Sequence, residues 1–222
     1  MSGNQVITGD QPTRDRLLAA GMALIAEHGF NGVTVGEIEA SVGLVPRRGA
    51  LYKHFSSKHA LVEAAMDERI AGVADMSFIV DWFASDSAKA DPRGTLLTVG
   101  RAVLAELDSE KHLNQIIEKD GDRFPGLRDR MRAEVVEPGF RYAEESFRSW
   151  VEERPDAADP ARGAAVGIDG AAVAAVLLSA LVHHRRQEWL FGRPPHDIDT
   201  DRFLGAWVEV ALRALGIQEV SV

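Results

Sequence analysis

Apolar residues recur at helical spacing along almost the whole chain, and no segment shows the alternation of a half-buried strand. The first helical stretch has apolar or small residues at the i, i+3, i+4, i+7 and i+8 positions of one face, namely Leu17, Ala20, Gly21, Leu24 and Ile25. Thr13 is suited to cap the start of this helix, and Gly29 is suited to end it. The pattern predicts an all-α fold.

Two short helices are predicted next, joined by a tight glycine turn. Thr34 and Glu37 have the spacing of a capping box, in which each side chain binds a free backbone N–H of the other residue. This second helix stops at Gly43. A third helix is predicted over about 46–55, with Pro46 suited to its first turn.

The rest of the chain also has helical patterns, divided by stretches rich in proline, glycine and aspartate. Pro138-Gly139 falls inside one of them, where proline removes a backbone hydrogen bond, so we expect a kink or break there. The helices predicted after residue 55 span about 57–83, 92–107, 111–119, 125–153, 159–191 and 201–215.

The position of the charges matters more than their sum. The 222 residues carry 25 Lys and Arg against 34 Asp and Glu, and the net charge of −9 argues against a nucleic-acid partner. Residues 1–60 nevertheless carry +1, whereas residues 61–222 hold 19 basic and 29 acidic residues, a net charge of −10. The stretch 44–60 has four basic residues and no acidic one. This asymmetry favours a DNA- or membrane-facing module on an acidic body.

The first three predicted helices have the layout of a helix-turn-helix DNA reader. Arginines at the N-terminal side of the third helix are placed to read base edges, and small residues there let the backbone approach the groove. Lysine, tyrosine, histidine and free helical N–H groups are suited to hold phosphates. The candidate DNA-binding residues are Thr34, Arg47, Arg48, Gly49, Ala50, Tyr52, Lys53, His54 and Lys58.

The helix spacing over about 13–60 is accompanied by a longer motif, which comprises Gly29–Val35, Ile38, Val42–Leu44, Gly49–Phe55 and Ser57–Leu61. In sequence and spacing it resembles the TetR family of bacterial transcriptional regulators. The resemblance implies a cytoplasmic, ligand-responsive homodimer, with repression as the favoured mode. A small-molecule effector would release it from a palindromic operator on double-stranded DNA.

The resemblance also implies a division of the chain into three parts. Residues 1–11 form a flexible N-terminal tail, residues 12–60 form a three-helix helix-turn-helix DNA-binding domain, and residues 61–222 form a helical effector-binding and dimerisation domain. One departure from the family pattern lies in the turn, where Gly43 and Gly49 are six apart instead of the commonest four. The two extra residues leave open which of Arg47 and Arg48 reads a base and which contacts a phosphate.

The last two predicted helices have features of a dimer interface. Small residues recur every four positions from 163 to 179, which permits close helix approach, and eleven of the fifteen residues 203–217 are apolar. A surface helix of a monomer needs only one apolar face, so the surplus favours a twofold four-helix interface over a helix central to a monomer. The candidate interface residues are Gly167, Ala171, Ala175, Leu181, Phe203, Trp207, Val210 and Ala214.

An effector site is predicted from aromatic and sulfur-containing residues, because apolar walls suit a small amphipathic ligand. Such residues at helical spacing are also typical of an ordinary core, and both interpretations stay open. The candidate effector-site residues are Phe78, Trp82, Phe124, Met131, Phe140 and Trp150.

Enzymatic, metal and membrane signatures are not found in the sequence. The chain has no cysteine, no phosphate-binding glycine loop and no Glu-x-x-His pair, and the adjacent His183-His184 point about 100° apart on a helix. The apolar stretch near 163–182 is interrupted by Asp169 and is too short for a membrane span. We therefore expect no enzyme activity, no cofactor and no metal; the alternative is a helical small-molecule-binding or enzymatic dimer without DNA binding.

Overall fold

The computed structural model describes residues 12–74, 81–152 and 169–217. Within these ranges it contains helices and turns but no β-strand, which confirms the predicted all-α class. The predicted flexible tail 1–11 lies outside the described residues. The α-helices, labelled in chain order, are α1 (Thr13–His28), α2 (Val35–Ser41), α3 (Lys58–Ala74), α4 (Asp86–Ala90), α5 (Pro92–Asp120), α6 (Pro125–Arg130), α7 (Glu137–Glu152), α8 (Gly170–Phe191) and α9 (Thr200–Ala214).

Several helices begin or end at residues whose local chemistry favours a helix terminus. Helix α1 ends at Gly29, whose φ of 79° is accessible to glycine without steric cost. The capping box at the start of α2 is formed in full by Thr34 and Glu37. Helix α9 begins after Asp199, whose carboxylate accepts a hydrogen bond from the N–H of Arg202 at 2.8 Å. The predicted end of α1 at Gly29 and the capping box are confirmed, and α9 begins one residue before the predicted 201. The predicted cap at Thr13 is wrong, because Thr13 is itself the first residue of α1 and, among the described residues, no side chain caps this helix end.

The predicted third helix over 46–55 is wrong. Only Leu51–Lys53 is helical, as a short 3₁₀ turn. Three residues of the preceding connection, Gly43, Arg47 and Gly49, have positive φ values of 78°, 62° and 73°. Residues with positive φ cannot continue a right-handed α-helix. The connection between Gly43 and Gly49, which is two residues longer than in the common family pattern, therefore forms a loop and adds no helical turn.

The predicted interruption between 107 and 111 is also wrong, because α5 is continuous from Pro92 to Asp120. Its polar middle resembled a break in the sequence, yet Glu110 is buried there and forms an ion pair with Arg69. A buried carboxylate that has a cationic partner does not require the helix to end. The predicted end at Asp120-Gly121 is confirmed.

The break expected near Pro138 is present as a change of helix type. Residues Met131–Val136 form a π-helical turn, and α7 starts at Glu137. Proline has no N–H to donate and its ring excludes the carbonyl four residues earlier, and a wider turn accommodates both effects.

The chain forms two compact units, and the first contains residues up to Ala71 together with Glu110–Arg132. Its core is built from fully buried aliphatic side chains of α1, α2, α3 and α5. The segment from α5 is tied to α1 and the turn after it. Lys119 donates to the carbonyl of Ala26 at 2.6 Å, and the N–H of Phe30 donates to Asp120 at 2.7 Å. The core residues include Leu17, Ile25, Ile38, Leu51, Leu61 and Ile116.

The second unit contains Gly72–Ser109 and the chain from Ala133 onwards. Helix α7 packs along α8, and α8 along α9. Two buried tryptophans bind backbone carbonyls in this core: the indole N–H of Trp150 donates to Phe83 at 2.5 Å, and that of Trp207 donates to Leu177 at 2.9 Å. Each polar edge is satisfied, so both rings fill the core without leaving an unpaired donor.

Candidate nucleic-acid interface

The N-terminal end of α2 is exposed and held open by its capping box. Thr34 accepts a hydrogen bond from the N–H of Glu37 at 3.2 Å, and Glu37 accepts one from the N–H of Thr34 at 2.6 Å. The hydrogen bond from the Thr34 backbone lowers the pKa of Glu37. This helix end therefore carries the partial positive charge that suits a phosphate oxygen, although Glu37 already occupies one of its donors.

The connection from α2 to the 3₁₀ turn lies directly against α2. The N–H of Leu44 donates to the carbonyl of Glu39 at 2.9 Å. A methyl group placed on Gly36 would lie 3.4 Å from Cγ of Arg47 and 3.7 Å from Cβ of Pro46. The loop thus passes over the first turn of α2, and it brings Arg47 beside the helix end at Thr34.

A buried carboxylate on α2, that of Glu39, holds the backbone of this loop by hydrogen bonds. Glu39 has 0% of its surface exposed, and its two carboxylate oxygens accept hydrogen bonds from the N–H of Arg47 at 2.7 Å and of Leu51 at 3.0 Å. Sequence reasoning missed this residue and counted it only as an acidic charge. The available signal was its place beside Ile38 on the buried side of α2, where an unpaired charge would be costly.

Above this carboxylate, the loop and the 3₁₀ turn expose a cluster of cationic and aromatic side chains. Tyr52 is 58% exposed. Within the described ranges, the side chains of the cluster form no hydrogen bond or ion pair with the protein, so their donors are available to a ligand. We call this set the basic cluster; it consists of Arg47, Arg48, Tyr52, Lys53 and His54. Gly49 and Ala50 lie between its members and are half-buried.

Lys58 does not belong to the basic cluster. Its ammonium group donates to the carbonyl oxygens of Phe30 and Val33 and lies 4.3 Å from the centre of the Phe30 ring. Burial lowers the pKa of Lys58. The structure therefore places this lysine under the turn before α2, where it holds that turn in place.

The predicted effector-site residues are distributed over both units. Phe124 and Met131 belong to the first unit, and Phe124 packs edge-on against Phe30 with ring centres 5.0 Å apart. Trp150 belongs to the second unit and stacks on Phe83 at 4.3 Å. Trp82 and Phe140 are also in the second unit, exposed and half-buried respectively, and Phe78 lies outside the described residues.

The predicted interface residues divide into an inner and an outer set. Leu181 and Trp207 are buried inside their own unit, where they contribute to its core. Ala171 and Val210 are exposed. The half-buried residues are Ala175, Phe203 and Ala214, and Gly167 lies outside the described residues.

Besides the predicted Val210, which is 56% exposed on α9, the last two helices expose further large apolar side chains. Four that the sequence did not single out lie on α8. The four on α8 are Val176, Val182, Leu190 and Phe191. Apolar exposure of this extent on two neighbouring helices is typical of an interaction surface.

Within residues 12–74, 81–152 and 169–217, neither a membrane-spanning helix nor a metal-binding cluster is present. No helix in these ranges is long and apolar enough to cross a membrane. Among the same residues, no group of three or more His, Asp or Glu side chains is arranged to hold a metal ion.

Comparison with known sequences places the match on the unit that carries the basic cluster. The sequence profile of the bacterial regulatory proteins of the tetR family matches residues 17–65. The HTH-type transcriptional repressor AcnR of Corynebacterium efficiens is 38% identical over 72 residues, which are 32% of this chain and 37% of AcnR. The chain thus matches little more than a third of the length of this curated relative.

Comparison with solved structures extends the likeness of the fold to most of the chain. A regulator from Mesorhizobium loti assigned to the TetR family superposes with a TM-score of 0.60 and 20% identity, over 90% of this chain and 94% of that one. SmeT, the repressor of the Stenotrophomonas maltophilia multidrug efflux pump SmeDEF, superposes with a TM-score of 0.54 and 20% identity, over 92% of this chain and 90% of SmeT.

Proposed function

We propose that this chain, whose residues 17–65 match the profile of the tetR family of bacterial regulatory proteins, is a sequence-specific DNA-binding transcriptional repressor. The observation that supports this most directly is the basic cluster, which presents unpaired cationic donors beside the exposed N-terminal end of α2. Arginine forks match the acceptors of guanine, and backbone N–H groups match phosphate oxygens.

Residues 12–60 supply the DNA contacts, and the rest of the chain supplies dimerisation and effector binding. The outward apolar residues of α8 and α9 are the proposed contact with a second copy of the chain. A twofold dimer presents two basic clusters to successive major grooves, about 34–36 Å apart on a near-palindromic operator. The inner residues Leu181 and Trp207 support these helices from behind.

The effector is proposed to be a small amphipathic molecule bound within the second unit, where the predicted residues Trp82 and Phe140 are exposed and half-buried respectively. It releases DNA by favouring a conformation whose two basic clusters are wrongly spaced for the operator. By linkage, operator DNA weakens effector binding by the same factor by which the effector weakens DNA binding. Saturating operator duplex must therefore shift the midpoint of an effector titration monitored by tryptophan fluorescence.

The test of DNA recognition starts with selection of bound duplexes from a random double-stranded pool by the full-length protein. We expect one near-palindromic sequence to be enriched and its affinity to fall steeply with salt. Replacement of Arg47 and Arg48 by alanine should reduce the affinity for the selected duplex to that for a scrambled duplex, without loss of helicity by circular dichroism.

A matched control removes two arginines elsewhere. Arg101→Ala with Arg148→Ala deletes the same charge from exposed positions of the second unit and should bind the selected duplex as the wild type does. Equal effects of the two double variants would show that net charge, and not the basic cluster, drives binding. If the wild type enriches no sequence, the alternative of a helical small-molecule-binding dimer without DNA binding is favoured.

A further inference from the structure

Glu39 is a fully buried carboxylate whose hydrogen bonds come from the backbone alone. Within the described residues no cationic side chain pairs with it, and its partners are the backbone N–H groups of Arg47 and Leu51. By contrast, the buried Glu110 pairs with Arg69. A buried carboxylate without a cationic partner is stabilised only by the N–H groups that donate to it. The Glu39 carboxylate therefore depends on the loop for its hydrogen bonds, and the loop conformation depends on the carboxylate.

The two hydrogen bonds span the segment from which the basic cluster projects. One oxygen of Glu39 binds the residue at the start of the segment, Arg47, and the other binds the residue at its end, Leu51. Between them lies Gly49, with a φ of 73°. Arg47 itself has a φ of 62°, an unfavourable conformation for a residue with a side chain. In a recognition helix, repeated backbone hydrogen bonds would stabilise the conformation of these residues. Here the two hydrogen bonds to the Glu39 carboxylate stabilise the unfavourable backbone conformation of the loop instead.

We propose that Glu39 is a positioning residue for DNA recognition, which locks the loop 47–51 so that Arg47 and Arg48 meet the DNA with a fixed backbone. The proposal rests on the proposed function and adds to it the means by which a non-helical segment reads a sequence. Preorganised contacts lose less conformational entropy on binding, and Glu39 therefore contributes to specific binding without touching DNA.

The sign of the mutational effect separates this role from a simple charge effect. Glu39 places a negative charge beneath a surface that must approach phosphates. If its charge were all that mattered, neutralising it would strengthen binding to every duplex. If it positions the loop, neutralising it weakens binding to the selected duplex only, because contacts to the phosphates of any sequence need no fixed loop geometry.

The experiment compares Glu39→Gln with Glu37→Gln in the full-length protein. Both variants lose one negative charge from α2, but glutamine retains the capping box at Glu37, whereas at Glu39 its amide can accept from only one of the two N–H groups. The probes are the duplex selected by the wild type and a scrambled duplex of equal length. For Glu39→Gln we expect at least about tenfold weaker binding to the selected duplex and unchanged or slightly tighter binding to the scrambled one. Glu37→Gln should bind both at least as tightly as the wild type.

Selected-duplex binding by Glu39→Gln that equals the wild type, or is tighter, overturns the proposal. Equal losses on both duplexes overturn it as well, because they indicate a general effect on the fold. A wild type that enriches no sequence refutes the proposed function itself, and this outcome is distinct from wild-type selection with an unaffected Glu39→Gln.

A measurement on the wild type decides the question if Glu39→Gln does not fold. Amide hydrogen exchange should show the N–H groups of Arg47 and Leu51 protected relative to that of Arg48, although none of the three belongs to an α-helix. Protection of both supports the lock, and exchange of both at the rate of Arg48 overturns it.

Discussion

The ammonium group of Lys58 lies between two carbonyl oxygens and the face of Phe30, at 4.3 Å from the ring centre. The sequence indicated a phosphate ligand here, because a lysine just after a recognition segment is well placed for one. The structure adds a competing role, since the same three donors can serve the carbonyl groups of the turn before α2. The two roles predict different consequences of mutation.

We predict that Lys58→Met lowers the free energy of unfolding by about 1.5–3 kcal/mol, because the methionine keeps the stem but removes hydrogen bonds from a charged donor. Urea denaturation measures this change. The slope of log Kd against log salt for the selected duplex should be unaffected. A slope that falls by about 0.9 at unchanged stability would instead identify Lys58 as a phosphate ligand.

His184 is a second residue whose environment sets a measurable property. It is 5% exposed and stacks in parallel on Phe203 at 3.9 Å, and burial lowers its pKa below the usual 6.5. Folding therefore favours the neutral ring. The resulting stability is fully present above the pKa of the unfolded chain and is lost as the pH falls below it.

We predict that the melting temperature of the wild type decreases between pH 7 and pH 5 and that His184→Phe, which retains the stacking, reduces this decrease. His112 also has a pKa lowered by burial, so the dependence should shrink without vanishing. The pKa values of Glu37 and Glu209 are also lowered, but these groups change the stability only near and below pH 4.5, outside the range from pH 7 to pH 5.

At the scale of elements, Gly100 lies where α5 packs closely against α9. A methyl group at Gly100 would lie 2.8 Å from Cδ2 of Leu204 and in ordinary contact with the ring of Trp207 at 3.5 Å. We predict that Gly100→Ala destabilises the protein by about 1–3 kcal/mol, because Leu204 is fully buried and has no open space into which its methyl group can move.

The control for this prediction is Gly139→Ala, since a methyl group at Gly139 meets nothing within 4 Å. Alanine is favoured over glycine in a helix interior by about 0.5–1 kcal/mol, so this variant should be stabilised. Thermal or urea unfolding should therefore shift in opposite directions for the two variants. Shifts in the same direction would contradict the close approach of α5 and α9.

The sequence predicted those elements whose limits depend on local chemistry. Gly29 and the Thr34–Glu37 box act within one turn of chain, and each ended or began a helix as predicted. The two errors arose where contacts with distant residues matter. Glu110 is buried within α5 and paired with Arg69, and Glu39 binds the backbone of residues eight and twelve positions away in a loop.

The candidate site follows the same division. Basic residues close to a glycine turn can be recognised in the sequence, so Arg47, Arg48 and Lys53 could be predicted as DNA-binding residues. The role of Glu39 could not be predicted, because its place beside Ile38 hints at burial but does not show which backbone N–H groups the carboxylate binds. Its hydrogen bonds to Arg47 and Leu51 depend on a fold that brings residues eight and twelve positions away against α2.

For the whole molecule, the charge distribution shapes how DNA is bound. The net charge of −10 over residues 61–222, from 19 basic and 29 acidic residues, opposes the approach of this part of the chain to DNA. We therefore expect weak non-specific binding and a dependence on the geometry of a few contacts at the basic cluster. In the proposed dimer, two linked clusters would compensate by binding two half-sites at a high effective concentration.

A substitution at Val210 tests whether DNA affinity depends on dimer formation. It is 56% exposed on α9, and a buried, unpaired carboxylate at a dimer interface is strongly unfavourable. We predict that Val210→Glu sediments as a monomer at micromolar concentration, where the wild type is a dimer. Its affinity for the selected duplex should fall at least about 100-fold, because each monomer binds one half-site alone.

Val136→Glu is the matched control, since Val136 is 41% exposed in the π-helical turn and lies away from α8 and α9 in the sequence. It introduces the same side chain at a similarly exposed valine and should leave both the sedimentation coefficient and the affinity unchanged. A Val210→Glu protein that remains dimeric would place the interface elsewhere on the chain. A monomeric variant with full affinity would instead show that one basic cluster is sufficient for operator binding, and the need for two half-sites would be rejected.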